Sequence, residues 1–259
     1  MAPRKNHPRA SSRSWDPVAD WYTGWVGAEG SDHHRRLAVP ALLELLQPTP
    51  REHVLDVGCG PGVLAPHVAG AGARYTGVDA SRKLVRFARR HHGAHGRFLV
   101  ADATRLSESA EPMAGAFDAA AFLLSIQDID PLHDALASAA WALRPGGRMV
   151  LLMTHPCFRI PRQSGWGWDD GRRLRFRRID SYLGELAVPM KTHGGGATRS
   201  YHRPLSAYVN GLAACGLYVD RIREIARPAD TPGPHARAER RASEEIPLFL
   251  ALRAVKAGS

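Results

Sequence analysis

Short apolar runs alternate along the chain with stretches whose apolar residues recur at helical spacing. The apolar runs lie at 54–57, 75–79, 98–100, 117–124, 149–153, 217–219 and 246–254. Between the second and third runs, Leu84, Val85 and Phe87 face one side of a predicted helix whose other positions are largely arginine. Strands that alternate with helices are typical of an α/β fold.

A glycine turn follows the first run. Gly58, Gly60 and Gly62 allow a sharp backbone turn and a close approach to a ligand, and helical spacing resumes afterwards. This order of strand, turn and helix predicts a nucleotide lying over the N-terminus of the helix. A dinucleotide fingerprint would place a third glycine where Val63 stands, and Asp56 would repel a pyrophosphate but attract a cationic amino group. Both residues count against a nicotinamide-binding protein.

The sequence Val-Leu-Asp-Val-Gly-Cys-Gly-Pro-Gly at 54–62 closely resembles the first motif of the class I S-adenosylmethionine (SAM)-dependent methyltransferases. The resemblance extends over about residues 15–153 and 204–256. It implies SAM as the cofactor and an α/β fold with a seven-stranded, mostly parallel, doubly wound sheet whose last strand is antiparallel. It also implies a helical cap before the sheet.

Several positions of this motif set are candidates for binding the cofactor. Asp79 ends the second strand, where its carboxylate can accept hydrogen bonds from ribose hydroxyls; its alternative role is to cap the next helix. The resemblance implies that Asp102 and Ala103 face adenine, unless they form a surface turn. It also implies that Tyr22 closes over the methionine end, although Tyr22 is equally compatible with simple aromatic packing. The predicted cofactor-binding residues are Tyr22, Asp56, Gly58, Cys59, Gly60, Asp79, Ala80, Asp102, Ala103, Leu124 and Gln127.

The chain divides into a basic tail at 1–14, expected to be disordered, and a single methyltransferase domain at 15–259. The domain is predicted to contain a helical cap (15–50), a SAM-binding half (51–153), an inserted lid (154–203) and the C-terminal half of the sheet (204–259). Asp16 is expected to cap the first helix. Alternation at 174–177 predicts a hairpin strand in the lid, 194–196 a glycine hinge, and 228–245 a long connection.

Three histidines are candidates for a general base. His155 follows the fifth strand at the expected cofactor edge, His202 is the second choice and His133 a weak third. A hydroxyl acceptor requires a base, whereas an amine needs only to be unprotonated. A histidine before proline is more often a local hydrogen-bonding residue. Gln127 and Asp128 stand where related small-molecule enzymes place a positioning or basic residue, although neither matches the histidine found in many O-methyltransferases. The Asn/Asp-Pro-Pro-aromatic motif of DNA-base and amide methylation is missing there.

The net charge of +10 is concentrated in two segments. Residues 1–13 carry +4, and 159–178 carry +5 from seven arginines and two aspartates. Such patches attract nucleic-acid phosphates, but an arginine-rich insert can also recognise a carboxylated or phosphorylated metabolite. We therefore expect methyl transfer to an O or N atom of a small molecule. An RNA methyltransferase and a SAM-dependent reaction with a non-methyl outcome are the alternatives.

The cysteines and the lengths of the apolar runs indicate the compartment in which the protein is expected. Cys59, Cys157 and Cys215 are scattered, suit a reducing compartment and form no metal-ligand pattern. There is no apolar run of 18 residues, and the basic N-terminal stretch lacks the apolar segment of a secretory signal. We expect a cytoplasmic protein without a metal or a membrane partner; the sequence does not specify its oligomeric state.

Overall fold

The protein is built on a seven-stranded sheet, seen in a computed structural model that describes residues 15–109, 111, 113–191, 197–227 and 232–258. The strands are β1 (His53–Val57), β2 (Arg74–Asp79), β3 (Arg97–Val100), β4 (Phe117–Leu123), β5 (Leu143–Thr154), β6 (Ser164–Asp169), β7 (Leu174–Ile179), β8 (Leu186–Lys191), β9 (Ala197–His202), β10 (Leu217–Ile225) and β11 (Phe249–Lys256). The sheet has the order β10-β11-β5-β4-β1-β2-β3. Within this sheet β11 alone runs opposite to the other six strands, so the predicted sheet is confirmed.

Helices cover both faces of this sheet. They are α1 (Ala19–Val26), α2 (Val39–Leu46), α3 (Ala65–Gly70), α4 (Arg82–His92), α5 (Leu132–Ala142), α6 (Leu205–Ala214) and α7 (Ala236–Glu245). One buried cluster joins the sheet to α5 and α6, and a second joins it to α2, α3 and α4. The central strand β4 carries three fully buried alanines, 119–121, whose small side chains let helices approach closely on both faces. None of the helices in the described residues is long and apolar enough to cross a membrane.

The helical segment before β1 differs from expectation at Asp16. A 3₁₀ turn at Asp16–Val18 precedes α1, and no side chain caps either of them. The Asp16 carboxylate instead accepts hydrogen bonds from the Ser81 hydroxyl and, at 3.2 Å, from the Lys83 N–H. The prediction that Asp16 caps the first helix is therefore wrong: it binds the first turn of α4, which satisfies orphan donors of a different helix.

Two antiparallel hairpins separate β5 from α6. One pairs β6 with β7, which confirms the strand predicted at 174–177, and the other pairs β8 with β9. The predicted hinge at 194–196 and the tail at 1–14 lie outside the described residues.

The C-terminal connection contains one element that was not predicted. Residues 236–245, expected to belong to a long connection, form α7. The helix buries Ala242 alone among its residues, so its sequence offers no apolar stripe from which a helix can be recognised. It packs against β7 of the insert.

Candidate functional site

The glycine turn is held between β2 and the segment that follows β4. The N–H groups of Gly58 and Cys59 donate to the Val78 carbonyl at 2.8 and 3.0 Å. Gly58 has φ +71°, and a Cβ there would lie 2.6 Å from the Cβ of Ser125. Glycine is required at this position both for its backbone conformation and because Ser125 approaches so closely.

Asp79 lies at the end of β2, directly beside the turn. Its Oδ2 accepts the Gly60 N–H at 3.0 Å, and its Oδ1 accepts the Ser81 N–H at 2.8 Å. Burial raises the pKa of Asp79 to about 6, and the charge of Asp16 acts in the same direction. Each carboxylate oxygen has a second lone pair, so Asp79 can accept two further hydrogen bonds from hydroxyl groups.

The Tyr22 ring of α1 lies over the turn. A Cβ on Gly60 would be 3.7 Å from its Cε1, with no other heavy atom of the described residues within 4 Å. Burial raises the pKa of Tyr22, and the charges of Asp128 and Asp79 raise it further. The ring therefore lies near two carboxylates as well as the turn.

Asp56 lies on β1 directly before this turn, and Cys59 is a buried residue of the turn itself. Asp56 is 1% exposed and accepts the Tyr75 hydroxyl at 2.7 Å, while its Oδ1 has no hydrogen-bond partner among the described residues. Burial raises the pKa of Asp56 to about 7. This geometry gives Asp56 a part in supporting the turn; its contact with a ligand amino group stays a prediction.

Asp102 and Ala103 follow β3 at the same edge. The Asp102 Oδ1 accepts the N–H and the hydroxyl of Thr104 at 3.0 and 2.7 Å, and its Oδ2 accepts from Arg105 at 3.2 Å. Burial works against ionisation here, but these hydrogen bonds prevail and lower the pKa of Asp102. The half-exposed carboxylate thus keeps its charge at the edge of the sheet, beside Ala103, and a contact with adenine stays a prediction.

The segment after β4 brings Leu124 and Gln127 to the turn. Leu124 has φ +54°, and Ser125 donates from Oγ to the Val57 carbonyl at 2.6 Å. The Gln127 Nε2 donates to the Leu124 carbonyl at 2.6 Å, whereas its buried Oε1 has no partner among the described residues. An unpaired buried amide oxygen is a natural acceptor for a ligand N–H or O–H.

Both predicted catalytic histidines make hydrogen bonds to other parts of the protein. The His155 Nε2 is 2.8 Å from Glu224 Oε1 on β10, and its Nδ1 accepts the Cys157 N–H at 3.2 Å. The His202 Nε2 donates to the Tyr182 carbonyl at 2.6 Å. Burial lowers the pKa of His155, and the ring is 2% exposed. The structure brings neither ring to the glycine turn through these contacts, and the weak third candidate, His133, is exposed on α5.

Asp128, which the sequence singled out, forms a cluster with Ser200 and Arg203, which it did not. Burial raises the pKa of Asp128 to about 7, although a hydrogen bond from Ser200 and the charge of Arg203 oppose the shift. Arg203 is 4% exposed and donates through Nη2 to the Ile129 carbonyl at 2.9 Å and to Asp130 at 2.8 Å. The signal that was available is His-Arg-Pro at 202–204, a polar sequence directly before a helix.

The cap, the glycine turn and the insert therefore meet at one place. Tyr22 comes from α1, Asp128 from the segment after β4, and Ser200 from β9, which also contacts the 3₁₀ turn before α1. A carboxyl group whose pKa is about 7 can exchange a proton near neutral pH. The glycine turn at the carboxyl ends of the parallel strands stands where α/β proteins bind nucleotides.

Comparison with known proteins identifies the family. The methyltransferase domain family matches residues 54–147. The chain is 33% identical over 196 residues to a malonyl-[acyl-carrier protein] O-methyltransferase of Salmonella typhimurium, covering 71% of this chain and 74% of that protein. It also superposes on a SAM-dependent methyltransferase from Mesorhizobium loti with a TM-score of 0.66 and 27% identity, covering 89% of this chain and all of the other.

The chain belongs to the SAM-dependent methyltransferases. Other curated relatives match over a shorter part. A ubiquinone biosynthesis O-methyltransferase of Aromatoleum aromaticum is 34% identical over 98 residues, which are 38% of this chain and 42% of that enzyme. The chain spans about four- to six-tenths of the length of the first curated relatives that it matches.

The site has the acceptors and donors that SAM requires. Asp79 retains lone pairs that two ribose hydroxyls could use. The unpaired Gln127 Oε1 supplies a buried acceptor beside the turn. SAM is the cofactor of this family, and the residues present fit it.

Proposed function

We propose that the protein transfers the methyl group of SAM to a hydroxyl oxygen of a small molecule. The observation that carries this proposal is the Asp128 carboxyl group, whose pKa is about 7 and which lies beside Tyr22 above the glycine turn. A base of this kind serves an oxygen acceptor, because a hydroxyl must lose its proton and an unprotonated amine need not. The two curated relatives named above, from Salmonella typhimurium and Aromatoleum aromaticum, are O-methyltransferases, which supports an oxygen acceptor.

The residues of this chain would position the reactants and move one proton. When bound, SAM supplies an activated methyl group. Asp79 would hold the ribose, Tyr22 would cover the turn, and Asp128 would accept the proton of the acceptor hydroxyl. Arg203 would stabilise the ionised form of Asp128, since its charge lowers the pKa of that carboxyl group. Correct placement of the two reactants supplies most of the acceleration in such a displacement.

The helical cap and the insert both cover the site, which favours a small acceptor over a polymer. The helical cap contributes Tyr22, and the insert at 154–203 contributes Ser200 and Arg203, so both segments reach the same carboxyl group. We propose that the insert acts as a lid that excludes water around the acceptor. The three cysteines are unpaired thiols in the structure, which agrees with a reaction in the reducing cytoplasm.

The experiment that tests this function uses SAM labelled on its methyl group. The full chain is incubated with a cell extract that has been separated into metabolite, RNA and protein fractions. We expect label in the metabolite fraction and a product whose methyl ether can be identified by mass spectrometry. Label confined to RNA would show that the small-molecule proposal is wrong.

A further inference from the structure

Three arginines surround one indole ring in the insert. The guanidinium carbons of Arg159, Arg175 and Arg177 lie 5.2, 4.6 and 5.3 Å from the centre of the Trp166 ring. Trp166 on β6 pairs directly with Arg177 on β7, and Arg175 is two residues away on the same face of that strand. We call these three residues the arginine cluster.

Two members of the arginine cluster are fixed by neutral acceptors. Arg159 donates through Nε and Nη2 to the carbonyls of Pro247 and Ile246 at 3.2 and 3.3 Å. Arg177 donates to the Phe158 carbonyl at 2.7 Å and to the Ser164 hydroxyl at 2.8 Å. A guanidinium has five N–H donors, so both groups are oriented and still have donors to offer.

The positive charge of the cluster is only partly balanced. Among the described residues, the single carboxylate within ion-pair distance of the cluster is Glu239 of α7, 3.1 Å from Arg175. Arg159 and Arg177 are partly buried, and burial together with repulsion from the neighbouring guanidiniums lowers the pKa of each, to about 10 for Arg159. Like charges held together in this way favour binding of an anion between them.

The cluster lies at the edge of the sheet that carries the glycine turn. Arg159 comes five residues after the last residue of β5, and its acceptors, Ile246 and Pro247, lie in the short segment before the antiparallel strand β11, separated from it by Leu248. In parallel α/β sheets ligands bind outside the carboxyl ends of the strands. The cluster is therefore placed to contact a group attached to the methyl acceptor.

We propose that the arginine cluster binds a phosphate group carried by the small-molecule substrate, with Trp166 as the platform that orients the guanidiniums. This inference rests on the proposed function, because it names the substrate class of that site. Forked guanidinium donors match the oxygens of a phosphate, and oriented forks give shorter and stronger hydrogen bonds than a mobile charge would. Convergence on one ring favours a single phosphate over a nucleic-acid backbone, which would need a row of cations.

The test is calorimetric titration of inorganic phosphate into the full chain, with S-adenosylhomocysteine affinity measured on the same samples. The double variant Arg175→Gln/Arg177→Gln should bind phosphate at least about tenfold more weakly. The matched control Arg172→Gln/Arg173→Gln, which removes two charges from the exposed end of the same hairpin, should change phosphate affinity less than about twofold. Glu239→Gln removes the competing carboxylate and should tighten phosphate binding at least about twofold, a gain that a purely structural cluster would not give.

The outcomes separate this inference from the proposed function. If the wild-type chain binds S-adenosylhomocysteine and methylates a metabolite but does not bind phosphate, the inference is overturned and the proposed function stands. If the control pair weakens phosphate binding as much as the cluster pair, a diffuse basic patch of the kind that binds RNA is present and the inference is again wrong. If the double variant loses S-adenosylhomocysteine binding, the phosphate affinity of the single variant Arg175→Gln is measured instead, because in the described structure that guanidinium pairs only with Glu239. Weaker phosphate binding by this variant would support the inference, and unchanged binding would overturn it.

Discussion

Three carboxyl groups at one edge of the sheet differ in their surroundings. Asp56 is enclosed and hydrogen-bonded to Tyr75, Asp79 accepts two backbone N–H groups at the turn, and Asp128 faces the insert. Burial is the largest influence on the pKa of all three. Their hydrogen bonds, which differ, are the basis of the separate roles that we propose: Asp56 supports the fold, Asp79 binds the cofactor and Asp128 transfers a proton.

Replacing Asp79 with alanine tests the ribose assignment. A charge-assisted hydrogen bond contributes about 1.5–3 kcal/mol, so Asp79→Ala should weaken S-adenosylhomocysteine binding by at least about tenfold. Isothermal titration calorimetry measures this, with Asp170→Ala, an exposed aspartate of the insert, as the control. Unchanged affinity in a folded Asp79→Ala protein would remove Asp79 from the binding site.

Replacing Asp128 with asparagine tests the proposed base. The ionised form is the base, so turnover of the wild type should rise with pH through about 7, the pKa of Asp128. Asp128→Asn should lower turnover by about 10²–10⁴-fold and abolish this rise. A pH–rate profile of both proteins on the identified acceptor measures the effect; a variant that keeps the wild-type profile would show that another group titrates.

The raised pKa of Asp128 also predicts how the stability of the protein changes with pH. A carboxyl group whose pKa is raised by folding stabilises the protein below its unfolded pKa of about 3.9, and this contribution is lost as pH rises through about 7. The wild type should therefore lose stability relative to Asp128→Asn between about pH 4 and pH 7. Urea denaturation across that range gives the difference, and parallel curves for the two proteins would contradict it.

At the scale of elements, the glycine turn couples two strands through close contact. The Cβ of an alanine at Gly58 would meet Ser125 at 2.6 Å, whereas at Gly146, which has the same φ of +71°, a Cβ would have no heavy atom of the described residues within 4 Å. Gly146→Ala should show only the cost of the left-handed conformation, about 1–2 kcal/mol. Gly58→Ala should add about 1–3 kcal/mol of overpacking, seen as a lower Tm by circular dichroism. Equal Tm losses would mean that the turn and the segment after β4 adjust freely.

The contact between His155 and Glu224 joins the end of β5 to β10. The Glu224 side chain is 59% exposed and can be hydrated when its partner is removed, so the loss of this hydrogen bond costs about 0.5–1.5 kcal/mol. His155→Gln should therefore lower Tm modestly with S-adenosylhomocysteine affinity unchanged. Turnover should stay within about threefold of the wild type, because the ring is held by this bond and by Cys157. A hundredfold loss of turnover in the folded variant would instead restore His155 as the base.

At the scale of the whole molecule, cofactor binding should be visible as stability. A ligand present at 100 times its Kd stabilises the native state by about 2.7 kcal/mol, which for a domain of this size raises Tm by about 5–10 °C. S-adenosylhomocysteine should produce this rise, and NADH should not. The reverse result would favour the nicotinamide-binding alternative.

Much of the fold was predictable because it depends on local pattern. The seven apolar runs became the seven strands of the sheet, and the glycines of the turn have the positive φ that their spacing predicts. The N-cap of α4 is Ser81, which accepts the Leu84 N–H at 3.2 Å, and not Asp79, the alternative that the sequence left open. The exceptions, α7 and the Asp16 contact, have no local signal: one lacks an apolar stripe and the other joins residues 65 positions apart.

The sequence by itself determined the order of the strands along the chain, the glycine turn and the position of Asp79, because these depend on periodicity and on backbone freedom. Only the tertiary structure decided that Asp128 has Ser200 and Arg203 as neighbours, and that three arginines share one indole ring. The physical reason is that burial and charge neighbours set the state of an ionisable group. Both arise only when the insert folds back over the sheet and brings residues about 70 positions apart into contact.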